Sequence, residues 1–236
     1  MKKILFILPF VLFACSQKDI KVVSPIPSDD IEDIDGNRYK TVRIGDQIWM
    51  TENLRSLHFQ DGTPIEVADT PYVTTAYPES YEKGPVCFMP DSQHDRCGVY
   101  YNWKAVAKNP CPAGWRVPSK KDWQILVNNL GGVDKAGALM KSIDGWKEPN
   151  KGVGETSYMN VLPSAQYILS QEMIDKGKTN GFDEYGYYAM LWTSDEGNAW
   201  TATGIYLSNL MYGIVFQDNA KTSGICVRCM MDALSQ

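Results

Sequence analysis

A helix signal that begins at Ser119 constrains the fold of this chain more than any other feature. Ser119 is a favourable N-cap residue, and Asp122, three positions later, can complete a capping box. The apolar residues that follow recur at positions i, i+3, i+4 and i+7, so they form one stripe that must be buried against another element. Gly131 and Gly132 then end the helix. The stripe consists of Trp123, Leu126, Val127 and Leu130.

Strand patterns lie on both sides of this helix. Residues 39–50 alternate apolar and polar side chains around Gly45 and Asp46, which predicts a β-hairpin with a two-residue turn. Residues 98–107 and 135–142 each predict a further short helix. Strands first, helices in the middle and strands last predict an α+β domain with a mostly antiparallel twisted sheet. The later strands are predicted at 158–169, 187–194, 199–206, 211–217 and 224–231.

The region between the hairpin and the helices is irregular. Residues 58–98 have no clear periodicity, and prolines are spaced through them. A loop of this length inside a compact domain is unusual, and it is often either functional or held by a cross-link. Both histidines of the chain, His58 and His94, fall in this region. Their place in an irregular loop makes them poor candidates for a catalytic base.

The first residues of the chain have the pattern of a bacterial lipoprotein signal. Lys2 and Lys3 form a positively charged region, and residues 4–14 form an apolar stretch that is too short to span a membrane. The stretch ends in Leu12-Phe13-Ala14-Cys15, which resembles a lipobox. A lipobox cysteine is acylated on its sulfur, so we expect Cys15 to be the lipid attachment site.

This signal sets the predicted organisation of the chain. Residues 1–14 are expected to be a signal peptide, residues 15–34 a lipidated flexible tether, and residues 35–233 one folded domain. Two or more acyl chains hold a protein stably at a membrane, so the mature protein is expected to be anchored to the membrane without spanning it. The residues after Cys15 lack a directly following Asp and resemble the polar export tags of surface lipoproteins. They predict an outer-membrane location with exposure at the cell surface.

The charge of the chain argues against a nucleic-acid partner. The formal net charge is −5, and removal of Lys2 and Lys3 with the signal peptide would take it to −7. A nucleic-acid-binding protein needs a clustered basic face. Runs of Lys or Arg in this chain do not exceed two residues. An acidic, solvated surface is therefore the simpler interpretation.

Five cysteines remain after the lipidated one, and an odd number predicts two disulfides and one free thiol in an oxidising compartment. Cys111 with Cys229 is the preferred pair, because it would join the helix entrance to the last strand. Cys87 with Cys97 is the second choice. Cys226 and Cys229 lie three positions apart on a predicted strand, so they face opposite sides of the sheet. Cys226 is then the free thiol, unless it bonds to Cys97 and leaves Cys87 free.

Five short blocks in a fixed order resemble a known family. They are VRIGDQIWMTENLR at 42–55, CGVYYNW at 97–103, CPAGWRVPSKKDW at 111–123, LWTSD at 191–195 and VRCMMD at 227–232. From about Asp35 to Asp232 the chain resembles the Fibrobacter succinogenes major paralogous domains. Those domains look like relatives of the C-type lectin-like fold, in which a cysteine before the central helix pairs with one in the last strand. The resemblance thus supports the Cys111–Cys229 pair and implies a lipid-anchored or secreted surface protein.

A non-catalytic module that binds a glycan or a protein is the function that we expect. Flat aromatic faces stack on sugar rings, and the C-terminal half of the chain is rich in aromatic residues. A loop of such a domain can hold ligand-binding side chains on a rigid scaffold. Five residues are the candidates for ligand binding: Trp146, Glu148, Asn150, Tyr185 and Trp200. Further aromatic residues in the same half are Tyr167, Tyr187, Tyr188 and Tyr212.

No cofactor is expected, and a calcium site has little support. Glu148-Pro149-Asn150 is the tripeptide with which sugar-binding C-type lectins hold calcium and mannose-type sugars. Calcium takes six to eight oxygen ligands, so it needs further carboxylates. The companion Trp-Asn-Asp block of those lectins is absent, and Asp195 is the one acid in the nearest equivalent. We therefore interpret the tripeptide as a chance resemblance.

Two other functions are weighed against the binding module. A structural or assembly subunit of a surface appendage or envelope complex is the alternative, and it would use main-chain strand edges instead of an aromatic site. A glycan-active enzyme is less favoured, because glycosidases use a pair of carboxylates and none here lies in a motif with a recognisable partner. The sequence does not indicate an oligomeric state.

Overall fold

Two β-sheets with short helices packed against them form the described part of the chain. The predicted class, α+β with mostly antiparallel sheets, is confirmed at that level. The structure, a computed structural model, describes residues 22–68, 84–90, 92, 94–154, 157–167 and 184–233.

The helices and strands are numbered in chain order. The strands are β1 (Ile26–Glu32), β2 (Arg38–Ile44), β3 (Gln47–Met50), β4 (Glu66–Val67), β5 (Val86–Phe88), β6 (Tyr100–Tyr101), β7 (Tyr188–Glu196), β8 (Thr201–Ser208), β9 (Val215–Ala220), β10 (Ile225–Cys226) and β11 (Met230–Asp232). The helices are α1 (Trp103–Ala107), α2 (Lys120–Asn129) and α3 (Ala136–Met140), and a 3-10 turn covers Asp95–Cys97.

The smaller sheet has the order β1-β2-β3-β11, and all of its pairs are antiparallel. The predicted hairpin is confirmed, because Ile44 pairs with Gln47 across a two-residue turn in which Gly45 has a positive φ of 63°. β1 lies inside residues 15–34, so the predicted tether is too long at its C-terminal end. Its side chains are mostly exposed and do not alternate, which is why the sequence pattern missed this edge strand.

The larger sheet has the order β4-β5-β6-β10-β7-β8-β9. β4 with β5 and β10 with β7 are parallel pairs, and the other neighbours are antiparallel. Alternate residues of β7 face two separate parts of the apolar core. Ala189 and Leu191 belong to the part that contains α2, and Met190 and Trp192 belong to the part on the other face.

Helix α2 forms as predicted and packs between the sheets. The Ser119 side chain accepts a hydrogen bond from Asp122 N, and the Asp122 side chain accepts one from Ser119 N, so the capping box is complete. Gly131 and Gly132 follow the helix with positive φ values. The four residues of the predicted apolar stripe are all buried: Trp123, Leu126, Val127 and Leu130.

Several other predicted elements are shorter than expected. The helix predicted at 98–107 begins at Trp103, because Asn102 caps it by accepting from Ala105 N, and the preceding Tyr100–Tyr101 is a strand. The helix predicted at 135–142 is Ala136–Met140. The strand predicted at 158–169 is wrong within the described residues, where it has isolated bridges only. The last predicted strand, 224–231, is divided into β10 and β11.

Cys111 and Cys229 form a disulfide that joins the approach to α2 with the residue before β11. Their Cα atoms lie 5.9 Å apart, and 118 positions separate them in the chain. The second predicted pair, Cys87 with Cys97, is wrong, because the two thiols are not bonded and lie in different parts of the core. Cys87 lies in the core on one face of the large sheet and Cys97 in the core on the other, so the sheet itself separates them.

Candidate ligand-binding site

A cavity of about 470 Å³ opens on the outer strands of the large sheet. β7 contributes Tyr188 and Met190, and β8 contributes Tyr206 and Ser208. These side chains share one face, because residues two apart on a strand point the same way and Tyr188 pairs with Ser208. We call this site the tyrosine cavity. Its other lining residues are Gln166, Glu184, Tyr187, Asn209, Leu210 and Gln217.

Three tyrosines give the cavity its aromatic surface. The rings of Tyr188 and Tyr206 lie 5.4 Å apart between centroids at an interplanar angle of 32°, so they form a tilted stack on the sheet. Tyr187 differs from them because half of its side chain, 50%, is exposed. The cavity therefore has an ordered aromatic base and one accessible aromatic face beside it.

A tight turn before β7 positions Tyr187. Gly186 adopts a positive φ of 96°, and a Cβ atom at this position would lie 2.8 Å from the Lys147 side chain. The backbone of Tyr187 is held on both sides, since its N–H donates to Glu184 O at 3.2 Å and its carbonyl accepts from Asn209 N at 2.9 Å. The orientation of Tyr187 therefore depends on a glycine-specific conformation and on two hydrogen bonds.

Polar groups surround the aromatic surface. Burial and then the neighbouring Glu184 carboxylate raise the pKa of Tyr188, so its hydroxyl stays protonated and can donate. Gln217 Nε2 donates to Asn219 Oδ1 at 3.2 Å, whereas Gln217 Oε1 has no partner among the described residues. Asn209 Nδ2 is occupied, because it donates to Lys147 O at 3.1 Å and to Glu148 O at 3.2 Å. Gln217 Oε1 is thus an acceptor atom open to a ligand, and the Glu184 carboxylate accepts from the Tyr188 hydroxyl and has further acceptor capacity.

The candidates predicted around residue 146 do not form a binding surface. Trp146 is buried, its Nε1 donates to Ser142 Oγ and to Val161 O, and the Lys141 ammonium lies 5.1 Å from the centre of its ring. Trp146 is therefore a core residue, which corrects its prediction as a ligand-binding residue.

Glu148 and Asn150 lie in the loop that follows. Glu148 is exposed and joined to Pro149 by a cis peptide bond. Asn150 is half-buried, and its Oδ1 atom is buried without a partner among the described residues. Neither residue lines the tyrosine cavity. Asn209, which does line it, donates a hydrogen bond to Glu148 O and so joins the loop to the cavity wall.

Tyr185 and Trp200 lie apart from the cavity and from each other. Tyr185 packs edge-on against His94, with ring centroids 4.4 Å apart. Its hydroxyl lies near Arg96, Cys97 and Asp144. Trp200 is 46% exposed at the turn between β7 and β8. It precedes Tyr206 by six residues, which places it roughly 20 Å away along an extended strand. The predicted residue set is therefore not one site.

Two features were looked for in the part of the chain that the structure describes: a metal-binding cluster and a membrane-spanning helix. Within the described ranges, His, Cys, Asp and Glu side chains do not gather in groups of three or more that could hold a metal ion. In the same ranges, no helix has the length and apolar character needed to cross a membrane. Cys15 and the predicted signal peptide lie outside the described residues.

A second polar site, which the sequence analysis missed, lies around His58. Asp35 Oδ1 is 2.5 Å from His58 Nδ1, and Asp35 Oδ2 accepts from Ser56 Oγ at 2.9 Å and from Leu57 N at 2.6 Å. His58 lines a cavity of about 270 Å³, and Asp35 lines a neighbouring cavity of about 370 Å³. The Asp35 carboxylate thus orients the imidazole ring and leaves the Nε2 atom without a partner among the described residues.

The hydrogen bonds to Asp35 keep its carboxylate ionised. Burial acts to raise the pKa of Asp35, but the bonds from the Leu57 backbone and from the His58 and Ser56 side chains outweigh it, so the pKa lies below its ordinary value. Asp35 and His58 are 23 positions apart, and no local motif joins them. Sequence patterns therefore offered no signal for this pair.

Comparison with known proteins places the chain in one family. The model of the Fibrobacter succinogenes major domain matches residues 42–230, which is most of the chain. The match includes the turn and the second strand of the hairpin, helix α2, the Cys111–Cys229 disulfide and the lining residues of the tyrosine cavity. No match was found among curated proteins or among solved structures. The chain therefore belongs to the Fibrobacter succinogenes major domain family.

Proposed function

We propose that this protein is a lipid-anchored, non-catalytic binding module that holds an uncharged sugar in the tyrosine cavity. The observation that carries the proposal is the half-exposed ring of Tyr187 beside a cavity lined with amide, hydroxyl and carboxylate groups. Binding pockets typically measure about 300–1,000 Å³ and combine an apolar surface with a few polar groups. The tyrosine cavity, at about 470 Å³, fits this description.

The chemistry of the lining favours a neutral polyhydroxyl ligand. The ring of Tyr187 can stack on the apolar face of a pyranose, while Gln217 Oε1 and the Glu184 carboxylate can accept hydrogen bonds from its hydroxyl groups. Among the described lining residues Glu184 is the one charged group, and it is an acid. An anionic sugar would meet repulsion there, and a glycosidase would need a second carboxylate.

The anchor and the fold complete the proposal. Cys15 is proposed to carry the lipid and to hold the protein at the outer membrane, exposed at the cell surface. A C-type lectin-like architecture is proposed for the domain. Two features support it: the Cys111–Cys229 disulfide joins the entrance of the central helix to the end of the chain, and β1 and β11 belong to the same sheet.

A glycan array tests the proposal with matched variants. Soluble protein from Ser16 onward is applied in calcium and in chelator, together with Tyr187→Ala and Tyr212→Ala. These two tyrosines are 50% and 55% exposed, but only Tyr187 lines the cavity. We expect binding to neutral glycans in both conditions, a loss of at least tenfold in Tyr187→Ala, and no change in Tyr212→Ala.

Other results would contradict the proposal in distinct ways. Binding that requires calcium would assign Glu148 and Asn150 to the site in place of the tyrosines. Equal effects of the two tyrosine substitutions would show that the cavity is not the site. Absence of glycan binding would favour an assembly subunit, since β9 is an edge strand whose outer side pairs with no strand among the described residues.

A further inference from the structure

Cys97 and Cys226 lie against each other in the core, although 129 positions separate them in the chain. The Cys226 thiol donates a hydrogen bond to the carbonyl oxygen of Cys97 at 3.4 Å. Both side chains are fully buried, and both belong to the part of the core that contains helix α2. Neither thiol has a role in the tyrosine cavity.

Tyr100 is a neighbour that the two cysteines share. Its hydroxyl donates to Ser164 O at 2.6 Å and lies within hydrogen-bonding reach of both the Cys97 and the Cys226 thiols. Both thiols therefore lie near the same hydroxyl oxygen. The proposed bond requires both side chains to turn towards each other about their Cα–Cβ bonds.

The register of the sheet excludes the third free cysteine from this pair. Cys226 pairs with Tyr100, whereas Cys87 pairs with the adjacent residue Tyr101. Paired residues share a face and successive residues on a strand point to opposite faces, so Cys226 and Cys87 lie on opposite sides of the sheet. Cys87 therefore cannot reach either sulfur without breaking strand pairing.

We propose that Cys97 and Cys226 form a second disulfide, which leaves Cys87 as the free thiol. The oxidant is a low-molecular-weight disulfide. The thiolate of one cysteine attacks it, forms a mixed disulfide and releases one small thiolate. The second cysteine then loses its proton and attacks the mixed disulfide, which forms the protein disulfide and releases the other small thiolate. Two protein thiols are oxidised, one small disulfide is reduced, and the two protons end on the released thiolates.

The bond forms before the sheet closes over it. Burial raises the pKa of Cys97 to about 12, and burial together with the neighbouring Cys97 raises the pKa of Cys226 to about 12. A thiol with such a pKa is almost entirely protonated at neutral pH and reacts slowly. Oxidation therefore belongs to the folding stage, while both sulfur atoms are still accessible.

The proposed bond would tie a cavity wall to the central strand β10. Cys97 ends the 3-10 turn whose first residue, Asp95, lines the cavity beside Asp35, and Gly98 lines the same cavity. Cys226 lies in β10, which pairs with both β6 and β7. The cross-link would thus stabilise the irregular region that precedes β6.

Peptide mapping tests the proposal directly. The denatured and reduced full chain is refolded with oxidised and reduced glutathione, alkylated in denaturant and digested with trypsin without reduction. Cleavage after Lys and Arg places every cysteine on its own peptide. We expect the peptide with Cys97 (97–104) to be linked to the peptide with Cys226 (222–228), with a mass two hydrogens below the sum of the two free peptides. The peptide with Cys87 (84–96) should be alkylated. The Cys111–Cys229 disulfide, seen as a link between peptides 109–116 and 229–236, is the positive control for oxidation.

Two variants make the result decisive. Cys87→Ser should retain the linked 97–104 and 222–228 peptides in the same yield. Cys226→Ser should lose that link and show alkylated 97–104. The proposal is overturned if 97–104 and 222–228 are recovered separately alkylated while the control link is present. A link from 84–96 to either peptide would also overturn it.

Discussion

The indole rings of Trp49 and Trp123 lie 4.5 Å apart between centroids, and this contact joins the N-terminal hairpin to helix α2. Gln47 reinforces the contact, because its Nε2 atom donates to Asp122 O at 3.1 Å. Both indoles are fully buried. The small sheet and the central helix are therefore held together by two large buried side chains and a hydrogen bond beside them.

Replacement of Trp49 by Ala should strongly destabilise the domain. Removal of a fully buried indole leaves a large cavity, and such changes cost about 3–5 kcal/mol. Trp200→Ala is the control, because Trp200 is 46% exposed and its loss should cost about 1 kcal/mol or less. Urea unfolding followed by circular dichroism measures both. Equal losses in the two variants would contradict the role assigned to Trp49.

Replacement of Cys111 by Ser should markedly lower the melting temperature. The disulfide with Cys229 spans 118 positions, and the loss of such a bond typically costs about 2–5 kcal/mol. The double variant with Cys229→Ser should melt near the single variant, since both lack the same bond. Differential scanning calorimetry measures the change. An unchanged melting temperature in Cys111→Ser would refute the pairing.

Asp122 should make the domain sensitive to acid. Burial acts to raise the pKa of Asp122, but hydrogen bonds from Arg116 and Ser119 outweigh it, so the pKa is lower in the folded state than in the unfolded state. Its contribution to stability is therefore fully present above the unfolded pKa of about 3.9, and it is lost as the pH falls through the folded pKa.

The variant Asp122→Asn isolates this contribution. It should be less stable than the wild type at pH 7, because the ion pair with Arg116 and part of the capping box are lost. The difference should shrink as the pH falls from about 4 towards 2. Urea midpoints across this range provide the measurement, and a constant difference would show that the Asp122 carboxylate is not the titrating group.

Replacement of Cys15 by Ser should abolish lipid attachment. A hydroxyl in place of the thiol cannot be acylated in the same way, so we expect unprocessed precursor and a loss of partitioning into detergent. Metabolic labelling with a fatty acid and phase separation in detergent measure these effects. Normal anchoring of the variant would rule out the lipobox.

Local sequence signals predicted the elements that form from local interactions. The helix that starts at Ser119 carries its cap, its apolar stripe and its stop signal within 14 residues of chain, from Ser119 to Gly132. The hairpin around Gly45 is equally local. β6 is a two-residue strand whose partner β10 is far away in the chain, so the local pattern did not reveal it. β10 lies inside the strand predicted at 224–231, but its separation from β11 was not predicted.

The candidate site was harder to predict for the same reason. Tyr187 and Tyr188 were among the aromatic residues noted in the sequence. Tyr206 and Gln217 reach the cavity through strand pairing across β7, β8 and β9, and Gln166 reaches it beside the isolated bridge between Ala165 and Ala189. Trp146 has the right residue type but is buried, since its indole N–H bonds to groups inside the core. Residue type indicated the chemistry, and strand register determined which residues meet.

Both ends of the described chain enter the same small sheet, at β1 and at β11, while the tyrosine cavity lies on the outer strands of the other sheet. A biotin tag or fusion partner at either terminus would therefore attach to a sheet that supplies no residue to the cavity. Immobilisation through either end should therefore leave the tyrosine cavity open, so a ligand that enters the proposed site should show equal affinities in the two orientations.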